Sequence, residues 1–220
     1  MIIKSYEIKK NKSNLSKNNF YLLYGENLGL KKEIKNFILA EISLEDKNIE
    51  KLNFFENDII NNEENFYNSV YSKSLFSNKK IIIIHDGSDK IIDKITDVYE
   101  KQPRDTFLII FCSILEKKSK LRIFFEKEKR TICIPCYLDN ERDLETILQF
   151  ELKKNNISLS KEASNLIIEK SNSDRNNLRN EIEKIKSYSL DKKTIEINEI
   201  KSLINFSGDY KSDILINECL

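Results

Sequence analysis

The sequence predicts an α/β fold: a parallel sheet with flanking helices, followed by a small all-α domain. Three observations carry this. Short apolar runs alternate with segments of helical periodicity through residues 20–135. The runs are unbroken, as in strands buried on both faces. Beyond Pro135 only helical periodicity continues.

In chain order, Phe20-Tyr21-Leu22-Leu23-Tyr24 reads as the first buried strand. Gly25-Glu26-Asn27-Leu28-Gly29 turns the chain into a helix whose apolar positions are Leu30, Ile34, Phe37 and Ile38. Residues 51–55 read as a second strand, and 63–73 as a helix with Phe66 and Val70 on one face. Ile81-Ile82-Ile83-Ile84 is the strongest strand signal. A polar helix over 90–101 leads into a strand at 106–111. Leu121, Phe124 and Phe125 mark another helix, and 131–134 a last short strand. Helices then follow near 141–154, 161–170, 175–188 and 198–205, with Leu178, Ile182 and Ile185 the clearest stripe. The expected division is an α/β domain at 1–138, a helical domain at 139–208, and at 209–220 the start of one further helix that stops abruptly.

The chain's 220 residues need no disulfide staples to build a core. Its 37 basic and 36 acidic residues leave a net charge of +1, so nothing pulls the whole molecule toward nucleic acid or an anionic membrane. Any basic patch must be local. No long apolar region follows Met1-Ile2-Ile3-Lys4, and no run approaches the roughly 18 residues of a membrane span. A cytoplasmic location is expected, with Cys112, Cys133, Cys136 and Cys219 reduced. Cys133-Ile134-Pro135-Cys136 has CxxC spacing and could be half a zinc site or a redox motif, but there is no second pair and only one histidine, His85, to complete a metal shell. Two buried thiols at a strand end is the reading preferred, and no metal or cofactor is expected.

Strand, glycine loop and helix in that order outline a nucleotide-binding domain. A working GxxxxGK[ST] loop needs its second glycine to wrap a phosphate and its hydroxyl to hold magnesium. After Gly25, Leu30 stands at that glycine and Lys32 at that hydroxyl; Lys31 alone keeps the expected type. The isoleucine strand runs into His85-Asp86-Gly87, where an ATPase would carry an aspartate for magnesium and a glutamate for the attacking water. Asp86 could meet a metal, but Gly87 occupies the place of the base; Asp86-Gly87 also reads simply as a turn. His85 has no evident acid or base partner, and no GxSxG, HExxH, EF-hand or kinase pattern occurs. No catalytic residue is identified.

These residues resemble the delta subunit of the bacterial DNA polymerase III clamp loader. The run from Phe20 to Glu26, followed by Leu30 and Glu33, is similar to that family's opening strand and eroded loop. Ser74-Leu75-Phe76, just before Lys79-Lys80, is similar to its clamp-contacting segment, and the stretch from Ser173 to Ile185 to its lid-domain helix. The resemblance implies an AAA+ (RecA-like) module of α/β domain plus helical lid, then a third helical collar domain. It implies as partners the beta sliding clamp, the gamma/tau and delta prime subunits where a C-terminal domain is present, and primed DNA through the complex, with no membrane. The chain ends about where the third domain would begin, which leaves a fragment or a truncated form as the expectation.

Leu75 and Phe76 also invite a reading from geometry. Neighbours on a helix point about 100° apart, so both cannot lie at the centre of one buried stripe. Two large apolar groups bracketed by Ser74 and Ser77 suit a plug for a partner's pocket, or they close the core beneath the next strand. Lys117, Lys118, Lys120 and Arg122 form a local basic cluster that could meet backbone phosphate, or a solvated helix start. Two other classes stay open: an active nucleotide-binding ATPase or kinase with an atypical loop, and a general nucleic-acid-binding module.

Overall fold

The computed structural model describes residues 1–11, 15, 17–44, 48–72, 77–103, 105–189 and 194–205. The chain divides into two compact units, Met1–Tyr137 and Leu138 onward.

The first unit is built on a five-stranded, wholly parallel sheet. Its strands are β1 (Phe20–Tyr24), β2 (Ile49–Phe55), β3 (Lys79–His85), β4 (Thr106–Cys112) and β5 (Thr131–Pro135), in the order β2-β3-β4-β1-β5. The helices are α1 (Leu28–Ser43), α2 (Glu56–Asn61), α3 (Glu63–Tyr71), α4 (Ile92–Lys101) and α5 (Lys120–Lys127). Because side chains alternate along a strand, each strand feeds two cores. Tyr21, Leu23, Ile81, Ile83, Ile109, Ile132 and Ile134 pack with Leu30, Ile34 and Ile38 of α1. Phe20, Leu22, Ile82, Ile84, Leu108, Ile110 and Cys133 pack on the other face with Phe66, Val70, Ile95, Val98, Leu121 and Phe125.

Two local expectations are corrected. Helix 63–73 is preceded by the separate α2 and ends at Tyr71, with Ser72 already extended (ψ 140°). Helix 90–101 opens as a 3-10 turn, Asp89–Ile91, before α4. At the amino end, Cys133 N donates to Met1 O at 2.9 Å and Ile3 N to Cys133 O at 3.0 Å around an Ile2–Cys133 bridge on β5, a pairing that sequence periodicity does not reveal, and a 3-10 helix (Ser5–Asn11) follows.

The second unit contains α6 (Glu141–Lys154), α7 (Lys161–Lys170), α8 (Arg175–Tyr188) and α9 (Ile197–Asn205). Leu144, Leu148, Ile167, Leu178, Ile182 and Ile185 form its core. Asn140 caps α6 in a reciprocal box with Asp143, and Asp174 caps α8 through the amides of Asn176 and Asn177. Arg175 forks onto the buried Asp139, donating from Nε to Oδ2 at 2.8 Å. The expectation that strands end at Pro135 is also corrected: Ser158–Leu159 (β6) and Thr194–Ile195 (β7) pair in parallel. A two-residue strand is too short to show a period. The expected segment 209–220 lies outside the described residues.

Candidate functional site

In an open parallel sheet, ligands sit beyond the carboxyl ends of the strands where the strand order reverses. Here that point is the end of β1, flanked by β4 and β5. Gly25 leaves the strand at φ 126° and donates its N–H to Ser113 O at 3.0 Å. A β-carbon at Gly25 would lie 2.2 Å from the Cys136 carbonyl oxygen. Asn27 binds the loop to the other flank: its N–H donates to Cys136 O at 3.1 Å and its Nδ2 to Tyr137 O at 3.1 Å. Its Oδ1 accepts from Leu30 N at 2.9 Å, capping α1. Sequence signals this cap, since Asn27 precedes the first apolar helical position by three residues.

Lys31 is the decisive side chain. It is only 5% exposed, and its Nζ donates to Gly25 O at 2.8 Å and Cys112 O at 2.9 Å. The ammonium therefore turns into the protein, spanning the carbonyls at the ends of β1 and β4. Burial holds it below the usual lysine range, opposed by the nearby Cys136, Cys112 and Asp86. Leu30 packs into the α1 core and Lys32 is exposed. Asp86 is exposed at φ 57° beyond β3. A side chain at Gly87 would start 2.7 Å from Ile110 Cγ2 and 3.3 Å from Cys112 Sγ, so the place of the general base has no room for one. These residues do not fit a magnesium-bound triphosphate: the wrapping glycine and the hydroxyl are replaced, the lysine is spent and the base position is filled.

The CxxC cysteines fall into the two different cores, Cys133 on one face of the sheet and Cys136 on the other. Burial pushes the Cys133 thiol up to about 12 and raises Cys112 further. Among the described residues no group of three or more His, Cys, Asp or Glu could hold a metal ion. His85 is stacked, with ring centroids 5.2 Å from Phe55 and 5.6 Å from Phe111, and its Nε2 lies 3.2 Å from Asn53 Oδ1.

The four basic residues are not brought together. Lys117, Lys118 and Lys120 are exposed, with Lys118 paired to Glu116 at 3.0 Å. Arg122 turns inward: Nε donates to Glu126 at 2.7 Å, a terminal nitrogen to Leu115 O at 3.1 Å, and the guanidinium lies 5.0 Å over the Tyr24 ring. The amino terminus of α5 already holds an anion of its own. The Asp89 carboxylate accepts from Ser119 Oγ (2.6 Å), Lys120 N (3.0 Å) and Leu121 N (2.9 Å). Burial works against that charge, but these hydrogen bonds prevail and hold the carboxyl below its usual range. Ser74, Leu75 and Phe76 lie outside the described residues, between the end of α3 at Tyr71 and the start of β3 at Lys79. No helix among the described residues is long and apolar enough to cross a membrane.

Set beside known proteins, residues 21–136 match the sequence model of a family described as "DNA polymerase III, delta subunit". A "Probable DNA polymerase III subunit delta" from Rickettsia prowazekii is 25% identical over 186 residues, 84% of this chain and 55% of that protein. The chain thus spans about half the length of this curated relative. The Bacillus subtilis DNA clamp loader delta protein superposes with a TM-score of 0.57 at 14% identity, covering 90% of this chain and 62% of the other. Domain III of the Thermotoga maritima replication initiation protein DnaA gives 0.54 at 16% identity, covering 92% and 90%. The Thermotoga maritima RuvB Holliday junction branch migration motor gives 0.55 at 12% identity, covering 92% and 66%. The fold is the AAA+-like α/β module that these proteins share.

Proposed function

The chain belongs to the DNA polymerase III delta subunit family, and on that premise we propose that its first unit grips the beta sliding clamp for a clamp loader without nucleotide chemistry of its own. The observation that carries this reading is the closed cradle. Lys31 Nζ is committed to Gly25 O and Cys112 O, so the strand, loop and helix are kept as a scaffold. The contact itself is assigned to Leu75 and Phe76, with Ser74 beside them, in the connection between α3 and β3.

The mechanism is differential binding. A ligand shifts a two-state equilibrium only by preferring one state. Inserting two apolar side chains into a pocket on the ring would favour the ring conformation whose interface is sprung, and so help open the clamp for loading onto primed DNA. Where a C-terminal domain is present, the chain would assemble with the gamma/tau and delta prime subunits, and ATP turnover in its neighbours would time the exposure of this surface. Phosphate contact is assigned only to Lys117, Lys118 and Lys120. Arg122 is engaged within the fold, and the α5 amides are taken by Asp89.

Binding of the chain to its own sliding clamp tests the contact. The Leu75→Ala, Phe76→Ala double variant is expected to weaken binding by on the order of 100-fold, as removing two apolar hot-spot side chains does. Equal affinity of the two chains would refute the assignment.

A further inference from the structure

The chain on either side of residues 73–76 is tied down by one buried cation. Lys80 is the second residue of β3 and is 5% exposed. An ammonium has three N–H donors. Here each has its own acceptor: Ser69 O at 2.5 Å, Ser72 O at 2.7 Å and Ser72 Oγ at 3.0 Å. Ser69 and Ser72 form the carboxyl-terminal turn of α3, where unpaired carbonyls and the negative end of the helix dipole favour a cation. The Glu50 carboxylate on the neighbouring strand lies 3.9 Å from Nζ.

Main-chain contacts root the same residue in the sheet. Lys80 N donates to Asp105 O at 2.8 Å, and Thr106, its register partner on β4, donates from Oγ1 to Val70 O at 3.4 Å. The point where the chain leaves α3 and the point where it enters β3 are therefore held against each other by one side chain.

We propose that Lys80 is a positioning residue for the partner-binding segment. Its clasp on Ser69 and Ser72 fixes the two chain ends between which Ser74, Leu75 and Phe76 lie. The inference rests on the clamp-contact reading above and extends it to a residue outside the contact. Holding the two ends of a segment at a fixed separation lowers the entropy lost when a partner binds it, so a fixed base should appear as affinity. The charge is suited to this because an ammonium without its acceptors would be a buried unpaired ion, which makes release of the clasp costly.

Three variants of the full chain separate the possibilities. Lys80→Met keeps the stem and removes the donors. Thr106→Val removes a neighbouring buried hydrogen bond without touching Ser69 or Ser72. Leu75→Ala, Phe76→Ala tests the contact reading itself. Affinity for the sliding clamp is measured at a temperature where every variant is folded, and amide exchange of residues 69–78 is followed without the partner.

Lys80→Met is expected to bind about tenfold more weakly and to exchange faster at residues 69–72, while Thr106→Val binds as the parent does. Parental affinity or unchanged exchange in Lys80→Met overturns the clasp, as does a loss in Thr106→Val that follows its lost stability. Parental affinity in the Leu75, Phe76 variant overturns instead the contact reading on which the clasp's purpose depends. The exchange arm needs no partner, so the two failures are distinguishable.

Discussion

Replacing Gly25 by alanine is expected to cost the first unit about 4 kcal/mol, enough to unfold much of a marginally stable domain. Two effects add. At φ 126° an L side chain is strained, by roughly 1–3 kcal/mol. Its β-carbon would also lie 2.2 Å from the Cys136 carbonyl oxygen, a backbone atom that cannot rotate away. Cys136 N is itself held by Tyr24 O at 2.7 Å, so relief requires moving the β5 end off β1. Over-packing of this kind costs a further 1–3 kcal/mol, roughly. Thermal denaturation should show a fall in Tm on the order of 10 °C. A Gly25→Ala chain as stable as the parent would mean that the loop does not take this path.

The second large effect is alkaline. Burial raises the Cys112 and Cys133 thiols from an ordinary value near 9, Cys133 to about 12, and raises the Tyr21 phenol as well. A folded-state pKa above the unfolded one gives stability that is complete below the unfolded value and lost as pH rises toward the folded one. The loss should begin near pH 9. By pH 10.5 each thiol removes about 2 kcal/mol, at about 1.4 kcal/mol per pH unit. Lys31 and the Met1 amino group, both lowered by burial, work in the opposite direction and offset part of this loss. Denaturant unfolding between pH 7 and pH 10.5 should give a stability that falls by at most about 4 kcal/mol, with a flatter profile in a Cys112→Ala, Cys133→Ala chain. A flat profile in the parent would mean that the thiols ionise readily, as metal-binding or redox cysteines do.

The two-core sheet was legible in the sequence because its strands are runs such as Ile81-Ile82-Ile83-Ile84, which fill both faces at once. Helix α2 was not legible. It contains the buried Glu56, whose carboxylate accepts from Ser88 N at 2.6 Å, and a charge held by a partner 32 residues away leaves no apolar stripe. The end of α3 at Tyr71 has the same kind of cause, since Lys80 claims the carbonyls of Ser69 and Ser72 from the next strand.

The candidate site divides in the same way. Loss of the wrapping glycine and the hydroxyl could be read at Leu30 and Lys32 directly. The fate of Lys31 could not, because one of its two acceptors, Cys112 O, is 81 residues distant. Arg122 was grouped with Lys117, Lys118 and Lys120 by nearness in sequence. Two residues along a helix turn a side chain by about 200°, and Arg122 lands over Tyr24 while Lys120 faces solvent. Asp89, 31 residues before Lys120, gave no sign that it would fill the α5 terminus.

The cradle after β1 is closed by the protein's own lysine. Calorimetric titration of the chain with magnesium ATP tests it most directly. The arrangement of Lys31, Gly25 and Cys112 predicts no saturable heat and no accompanying rise in Tm at millimolar nucleotide. A saturable, magnesium-dependent isotherm together with thermal stabilisation would contradict it.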